Sequence, residues 1–482
     1  MARTGMSHQE PARSKSPRRR RFWPTVLVLA ALLSAALVED LGSDFATSLQ
    51  RAEAPTTAPP ADQAGEPARP EPSVLGVPFE NPTPAPGGGA VSAYAPQPHR
   101  GFQWIGANRD GEQFSDEEIA TLARDNNVVV LAKFHARWNI EAHHEDARRL
   151  VAARPDIRVF PYFSTKYWFE KNNWGVQVPD EFLLRDRNGD LVPRVRPRED
   201  RQTAVASYVD LANPEYRAWA LDVMASWLQA APYAGVAFDA AVPIGLGDER
   251  NQAEWNELLG LERVAAYNAG MRELLAATER LVGPDRTVLY NGISPNTHLK
   301  GPDRNTGLLD VAGAALDERF CLDVHGETHY IEDDIALLSE NRTDELFMRV
   351  SFRPGTDMSQ RPRLERFCFG VFMLGWQPGY SYLQIGTDFS TNQLRELTDD
   401  LYVNLGNPLG PYQRRGDVAE RQFEHGMVYV NLGPSPTAVD RPATLAEVDG
   451  GRVVADAGAG GSIELAPNDA TILLDPALAG TG

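Results

Sequence analysis

Cysteine is almost absent from this chain: Cys321 and Cys368 are the only two in 482 residues. Two are too few for a disulfide framework, so the fold has to rest on a hydrophobic core. They can pair if the chain is exported, and otherwise read as two buried thiols. Basic residues are also short, 47 Lys and Arg against 66 Asp and Glu, for a net charge of −19. The first 38 residues run against this trend, with seven basic residues and one acid, a net +6 that leaves −25 for the rest. A body that acidic repels nucleic acid and anionic membranes, and suits neutral or cationic substrates better than polyanions.

Several motifs are missing as well. No P-loop, G-x-S-x-G or G-x-G-x-x-G occurs, which argues against nucleotide binding and serine-hydrolase chemistry. His143-His144 and His325…His329 lack a complete metal-ligand set. Asp186-Arg187-Asn188-Gly189-Asp190 begins like a calcium loop, but Leu191 stands where that loop needs Gly, and Pro197 where it needs Glu. It reads instead as an Asn-Gly hairpin turn. No metal and no cofactor is expected, and there is no internal repeat.

Long apolar runs are confined to one place. Arg18 to Arg21 precede Phe22 to Val38, about 17 residues and the low edge for a spanning helix. Residues 1–38 read as a signal peptide or signal anchor, with membrane anchoring through residues 22–38 as the second option. The expected location is extracytoplasmic, secreted or anchored. Residues 39–98 are rich in Pro, Ala and Gly, with Pro82-Thr83-Pro84-Ala85-Pro86 and Gly87-Gly88-Gly89, and read as a disordered linker.

From Arg100 onward, strand and helix patterns alternate. Strands are expected at Gly101–Gly106, Val128–Phe134, Ile157–Phe163, the stretch ending at Asp239, Thr287–Tyr290, Val311–Leu316, Leu346–Ser351 and Tyr380–Ile385. A capping box at Ser115 and the Asn213-Pro214-Glu215 cap open two of the helices between them. One long helical stretch is expected over Ala253–Leu281, and a long insertion over Ser164–Asp210. Eight strand–helix units predict an α/β fold, a (β/α)8 barrel over residues 99–406. After Leu405 short alternating segments with turn signals predict a small all-β sandwich over 407–482.

The strand Gly235-Val236-Ala237-Phe238-Asp239 carries the most information. A strand buried on both faces cannot hold a lone carboxylate at its middle, but its C-terminal end opens into the barrel mouth, where barrel chemistry occurs. The alternative is a helix N-cap, which Pro243, Gly245 and Gly247 weaken by delaying any helix. With Leu289-Tyr290-Asn291-Gly292 on the fifth strand, Leu316-Asp317-Glu318-Arg319-Phe320 on the sixth and the tail Arg421-Gln422-Phe423-Glu424-His425-Gly426-Met427-Val428-Tyr429-Val430-Asn431, the chain resembles hypothetical glycosyl hydrolase family 15 over roughly residues 100–476. The resemblance implies a sugar-processing barrel followed by a β-sandwich, and a carbohydrate as partner.

Glycosidic cleavage usually needs two carboxyls flanking the bond. Asp239 and Glu318 fall two strands apart on one rim, Asp239 as nucleophile or base and Glu318 as acid. Asp317 is the rival acid, because a one-residue shift would turn it inward. The alternative is that Asp317 or Glu318 pairs with Arg319 or Arg349. The acid should occupy the drier surroundings. Substrate-gripping groups are expected at Trp104, Lys133, His135, Tyr162, Asn291, Arg349 and Gln384. In the insertion Tyr167 and Trp168, with Trp174 and Lys166, either stack on sugar or pack the insertion. Two other function classes stay open: a non-catalytic carbohydrate-binding barrel, and a metal-dependent hydrolase using His135.

Overall fold

In the computed structural model the described residues are 101–107, 113–134, 140–168, 177–198, 201–246, 250–293, 304–322, 330–340, 343–352, 357–386, 403–449, 452–455 and 460–479. The signal or anchor segment, the linker, His135 and Trp174 lie outside them. Among the described residues no helix is long and apolar enough to cross a membrane.

The runs of β-branched and apolar residues form eight parallel strands, as expected. These are β1 (Phe102–Ala107), β2 (Val128–Phe134), β3 (Arg158–Ser164), β7 (Gly235–Asp239), β8 (Thr287–Ile293), β9 (Ala314–Asp317), β10 (Glu345–Ser351) and β11 (Ser381–Gly386), hydrogen-bonded in that order. Their middles are largely apolar because both faces are covered: Val128, Val129 and Val130 are all fully buried. A parallel bridge between Gly101 and Leu383 brings the first strand back to the last and closes the barrel. Helices α1 (Asp116–Asp125), α2 (Ile140–Ala153), α3 (Pro214–Ala230), α4 (Gln252–Leu259), α5 (Leu261–Val282), α6 (Ile331–Glu340) and α7 (Arg361–Gly375) lie between them, α4 and α5 both between β7 and β8, and among the described residues only a 3₁₀ turn lies between β8 and β9. Ser115 and Glu118 close the expected capping box, and Asn213 caps α3 with Pro214 in its first turn.

Most strand limits differ from expectation by a residue and β8 runs on to Ile293; two further departures have a clear local cause. The stretch expected as one helix splits at Gly260, whose φ of 93° is a left-handed conformation that ends α4 and starts α5. The sixth strand starts at Ala314, not Val311, because Thr306–Val311 forms a 3₁₀ turn.

The insertion after β3 folds into its own antiparallel sheet, β4 (Tyr167–Trp168), β6 (Arg201–Tyr208) and β5 (Pro193–Arg198), in that spatial order. The Asp186–Asp190 segment is a tight turn, its Asp186 Oδ1 accepting from the backbone of Asn188 and Asp190.

The C-terminal strands form a six-stranded antiparallel sheet and a two-stranded one. Helix α7 lies between the six-stranded sheet and the barrel, and Phe367 to Gly375 are all buried. A helix apolar on every side needs cover on every side. Arg421, buried in the sheet, donates to the carbonyls of Met373, Leu374 and Trp376 at 3.0, 3.0 and 2.8 Å, satisfying the otherwise orphaned C-terminal end of α7.

Cys321, four residues after β9, is disulfide-bonded to Cys368 of α7 across a sequence separation of 47. Closing a loop of that length should stabilise the fold by about 4 kcal/mol through lost chain entropy. The double variant Cys321→Ala/Cys368→Ala should therefore unfold at clearly lower urea concentration, followed by tryptophan fluorescence. An unchanged midpoint would show that the bond adds no stability.

Candidate active site

Asp239 is the last residue of β7 and the only one in that strand that is not fully buried. Ser164 of β3 faces it in register on one side. On the other, β8 is irregular between Asn291 and Ile293. Gly292 sits at this irregularity because a Cβ there would lie 2.5 Å from the Ala241 carbonyl oxygen. A local irregularity of this kind re-aims a neighbouring side chain. Here Asn291 Nδ2 donates to Asp239 Oδ1 at 2.7 Å.

The second carboxylate oxygen, Oδ2, accepts from the Tyr162 hydroxyl at 2.5 Å. Oδ1 also accepts from the Ala240 amide at 2.9 Å, and Ala240 holds a φ of 56°, a left-handed conformation rare for a side-chain-bearing residue. Tyr162 is buried and packs edge to face on Trp104 at 5.8 Å. Its phenol is pushed well above the ordinary range, first by burial, then by the Asp239 carboxylate, with Arg194 opposing and Glu318 adding. The Tyr162 hydroxyl therefore feels both acids, and the insertion strand β5 contributes Arg194 to the same neighbourhood.

On the sixth strand the two neighbouring acids have different fates. Asp317 is fully buried, and its carboxylate pairs with Arg304 at 2.6 Å and accepts from the Arg319 amide at 2.8 Å. Glu318 keeps 27% of its side chain exposed and meets Arg349 at 3.4 Å. Pairing, weighed as the alternative, occurs for both: Glu318 with Arg349, one of the two partners named for it, and Asp317 with Arg304, which was not. The dry surroundings expected around Glu318 belong to Asp317, which no sugar can reach. Glu318, the accessible one, lies beside a cation.

Arg304 also binds Asp334 at 2.6 Å, so one guanidinium serves two buried carboxylates. Burial raises both acids, with Arg304 opposing, and pushes Asp334 up to about 7. An acid raised above its unfolded value near 3.9 binds its proton more tightly in the folded state between about pH 4 and 7. Its contribution to stability is therefore lost as pH rises through that window. Asp334→Asn should flatten this: from pH 5 to pH 8 the melting temperature of the variant should fall less than that of the wild type. Parallel profiles would show that Asp334 does not titrate there.

The remaining expected residues divide. Asn291 and Tyr162 converge on Asp239, and Arg349 on Glu318. Gln384 is taken up by the barrel seam, its amide accepting from the Trp104 amide at 3.0 Å and donating to the Trp104 carbonyl at 3.4 Å. Tyr167 and Trp168 do not offer open faces to a sugar. They are 4% and 5% exposed, and Tyr167 packs between Tyr208 at 4.9 Å and the Arg194 guanidinium at 3.8 Å. Large rings in a thin three-stranded insertion serve as its core. Lys133 lies on β2 and His135 outside the described residues. Among the described residues no group of three His, Cys, Asp or Glu could hold a metal. Sequence reasoning missed Arg194, Arg304 and Asn305, which carry no motif.

The sequence profile of hypothetical glycosyl hydrolase family 15 matches residues 155–427, more than half of the chain. No curated protein matches. Among solved structures, the chain is similar to the glycoside hydrolase domain of PelA from Pseudomonas aeruginosa, at 15% identity and a TM-score of 0.36, covering 61% of this chain and 96% of that one. It is also similar to an alpha-amylase from Geobacillus thermoleovorans, at 10% identity and a TM-score of 0.43, covering 78% and 97%. Eubacterium rectale Amy13B gives 8% identity and a TM-score of 0.46, covering 80% and 97%. Likenesses this distant carry no argument about the site.

Proposed function

The chain belongs to hypothetical glycosyl hydrolase family 15 and is a glycoside hydrolase; on that premise we propose that Asp239 and Glu318 are its two catalytic carboxylates. Asp239 is the nucleophile or base. The observation that carries this is its setting: a carboxylate at the mouth of an apolar barrel strand, with Tyr162 and Asn291 donating to its two oxygens. Donors aimed at both oxygens favour the charged form and fix its direction. Glu318 is the acid, and Asp317 is not, because only Glu318 keeps part of its side chain exposed. Protonated Glu318 gives its proton to the glycosidic oxygen as the bond to the anomeric carbon breaks. Asp239, or a water that it deprotonates, closes on that carbon from the opposite side. Tyr162 and Asn291 hold the attacking carboxylate, and Arg349 orients Glu318.

The proposed substrate is a poly- or oligosaccharide, and the enzyme is proposed to be exported and to act outside the cytoplasm. The Cys321–Cys368 disulfide supports this, since such bonds persist in oxidising compartments. The test is a screen of the secreted chain on cell-wall and plant polysaccharides, with Asp239→Asn in parallel. Release of reducing sugar by the wild type alone supports the reading. Equal release by both proteins removes it.

A further inference from the structure

Two adjacent residues with no place in the catalytic scheme touch the supports of both carboxylates. They are Arg304 and Asn305, on the connection after β8. The Asn305 side-chain amide donates to the Ala241 carbonyl at 3.1 Å and to the Gly292 carbonyl at 3.2 Å. Ala241 lies two residues beyond Asp239, and Gly292 directly follows Asn291. One amide thus ties the end of β7 to the end of β8, alongside the Ala241 amide donating to the Asn291 carbonyl at 3.0 Å. Asn305 itself sits at a φ of 58°, and its carbonyl accepts from the Tyr290 hydroxyl at 2.7 Å.

Arg304 works on the other acid. Its guanidinium holds Asp317, which directly precedes Glu318 and accepts from the Arg319 amide directly after it. It also holds Asp334, whose carboxylate accepts from the Cys321 amide at 2.9 Å. The backbone on both sides of Glu318 is therefore fastened to one buried cation through two carboxylates. The Cys321–Cys368 bond fixes the far end of the same segment.

We propose that the Arg304–Asn305 pair is the positioning element that sets the separation of Asp239 and Glu318, Asn305 fixing the Asp239 side and Arg304 the Glu318 side. The inference rests on the assignment of those two carboxylates. Two cross-links from adjacent residues convert two independent loop ends into one unit. Glycoside hydrolysis needs this, because the gap between the carboxyls decides whether water fits between them. A shift of about 1 Å in a reacting group can slow a reaction roughly 10²-fold.

The test uses two conservative variants in the full chain. Asn305→Gly tolerates the left-handed backbone and removes only the amide. Arg304→Lys keeps a buried cation but ends one bond short of the Nη2 nitrogen that meets both carboxylates, so it cannot hold the two in the same place. Both are compared with Asp239→Asn and Glu318→Gln on two substrates: an oligosaccharide that the wild type cleaves, and the corresponding 4-nitrophenyl glycoside, whose leaving group needs little protonation. The proposal expects Asn305→Gly to lower kcat/KM on both substrates, by roughly tenfold to 10²-fold. It expects Arg304→Lys to lower it on the oligosaccharide and leave the nitrophenyl glycoside within about threefold, with near-ultraviolet circular dichroism as in the wild type. A general structural role would instead make Arg304→Lys reduce both substrates equally, or make the loss in either variant follow its folded fraction, and either result overturns the proposal. So does wild-type kcat/KM in both variants while Asp239→Asn and Glu318→Gln are inactive. If those two carboxylate variants themselves cleave the oligosaccharide at near wild-type rate, the site assignment fails first.

Discussion

Asp239→Asn lowers kcat on a confirmed saccharide by roughly 10³-fold or more, about 4 kcal/mol of barrier, with KM little changed. The substitution keeps the shape of the side chain: with its oxygen at the Oδ1 position it still accepts from the Ala240 amide and from Asn291, and its new NH2 group faces the Tyr162 hydroxyl, which can accept in turn. The negative charge is lost. A nucleophile or base acts at the anomeric carbon in the transition state, so its removal appears in kcat and not in ground-state binding. Steady-state kinetics on purified protein, with circular dichroism as a control for folding, measures this. If KM rises and kcat is unchanged, Asp239 grips a hydroxyl and performs no chemistry.

Glu318→Gln behaves differently from one substrate to another. On an oligosaccharide, whose leaving group is a sugar alkoxide, loss of the acid lowers kcat/KM by roughly 10²- to 10⁴-fold. On a 4-nitrophenyl glycoside the leaving group departs without a proton, and most of that loss disappears. The comparison matters because of where Glu318 sits. Arg349 lies 3.4 Å away, a long contact that orients the carboxyl group without a short ion pair. An equal loss on both substrates would make Glu318 a binding group or a nucleophile, and the roles would need to be exchanged.

Much of the barrel was legible because parallel strands covered on both faces are written as unbroken apolar runs, and Val128–Val130 or Val236–Phe238 cannot easily be anything else. The place of Asp239 followed from the same logic, since a carboxylate on such a strand is tolerable only where the strand opens. Glu318 against Asp317 could not be decided from the sequence. Which of two neighbouring acids is buried depends on Arg304 and Asp334, 13 and 17 positions from Asp317, one on the connection after β8 and one on α6, and nothing local to Asp317 or Glu318 announces either partner.

The fate of Gln384 has a similar cause. It bonds the backbone of Trp104 across a separation of 280 residues, at the one seam where the barrel closes without a full ladder. Nothing local to Gln384 announces that partner. Tyr167 and Trp168 were open to two readings because an aromatic in an insertion suits either stacking or packing. The unforeseen three-stranded sheet buries them and decides for packing. The long helix after Asp239 was expected whole because one Gly is tolerated within a helix. The left-handed φ at Gly260 breaks it.

The most direct measurement of the central claim is a crystal structure of Asp239→Asn with an oligosaccharide substrate bound. The account predicts that the scissile bond lies between the two side chains. The glycosidic oxygen should be within about 3 Å of a Glu318 carboxyl oxygen, and the anomeric carbon should face residue 239. The gap between the two side-chain groups, about 5–5.5 Å for retention or about 6.5–9.5 Å for inversion, then gives the stereochemical course. A sugar seated away from the mouth of the barrel, or one whose glycosidic oxygen contacts neither position, would contradict the assignment.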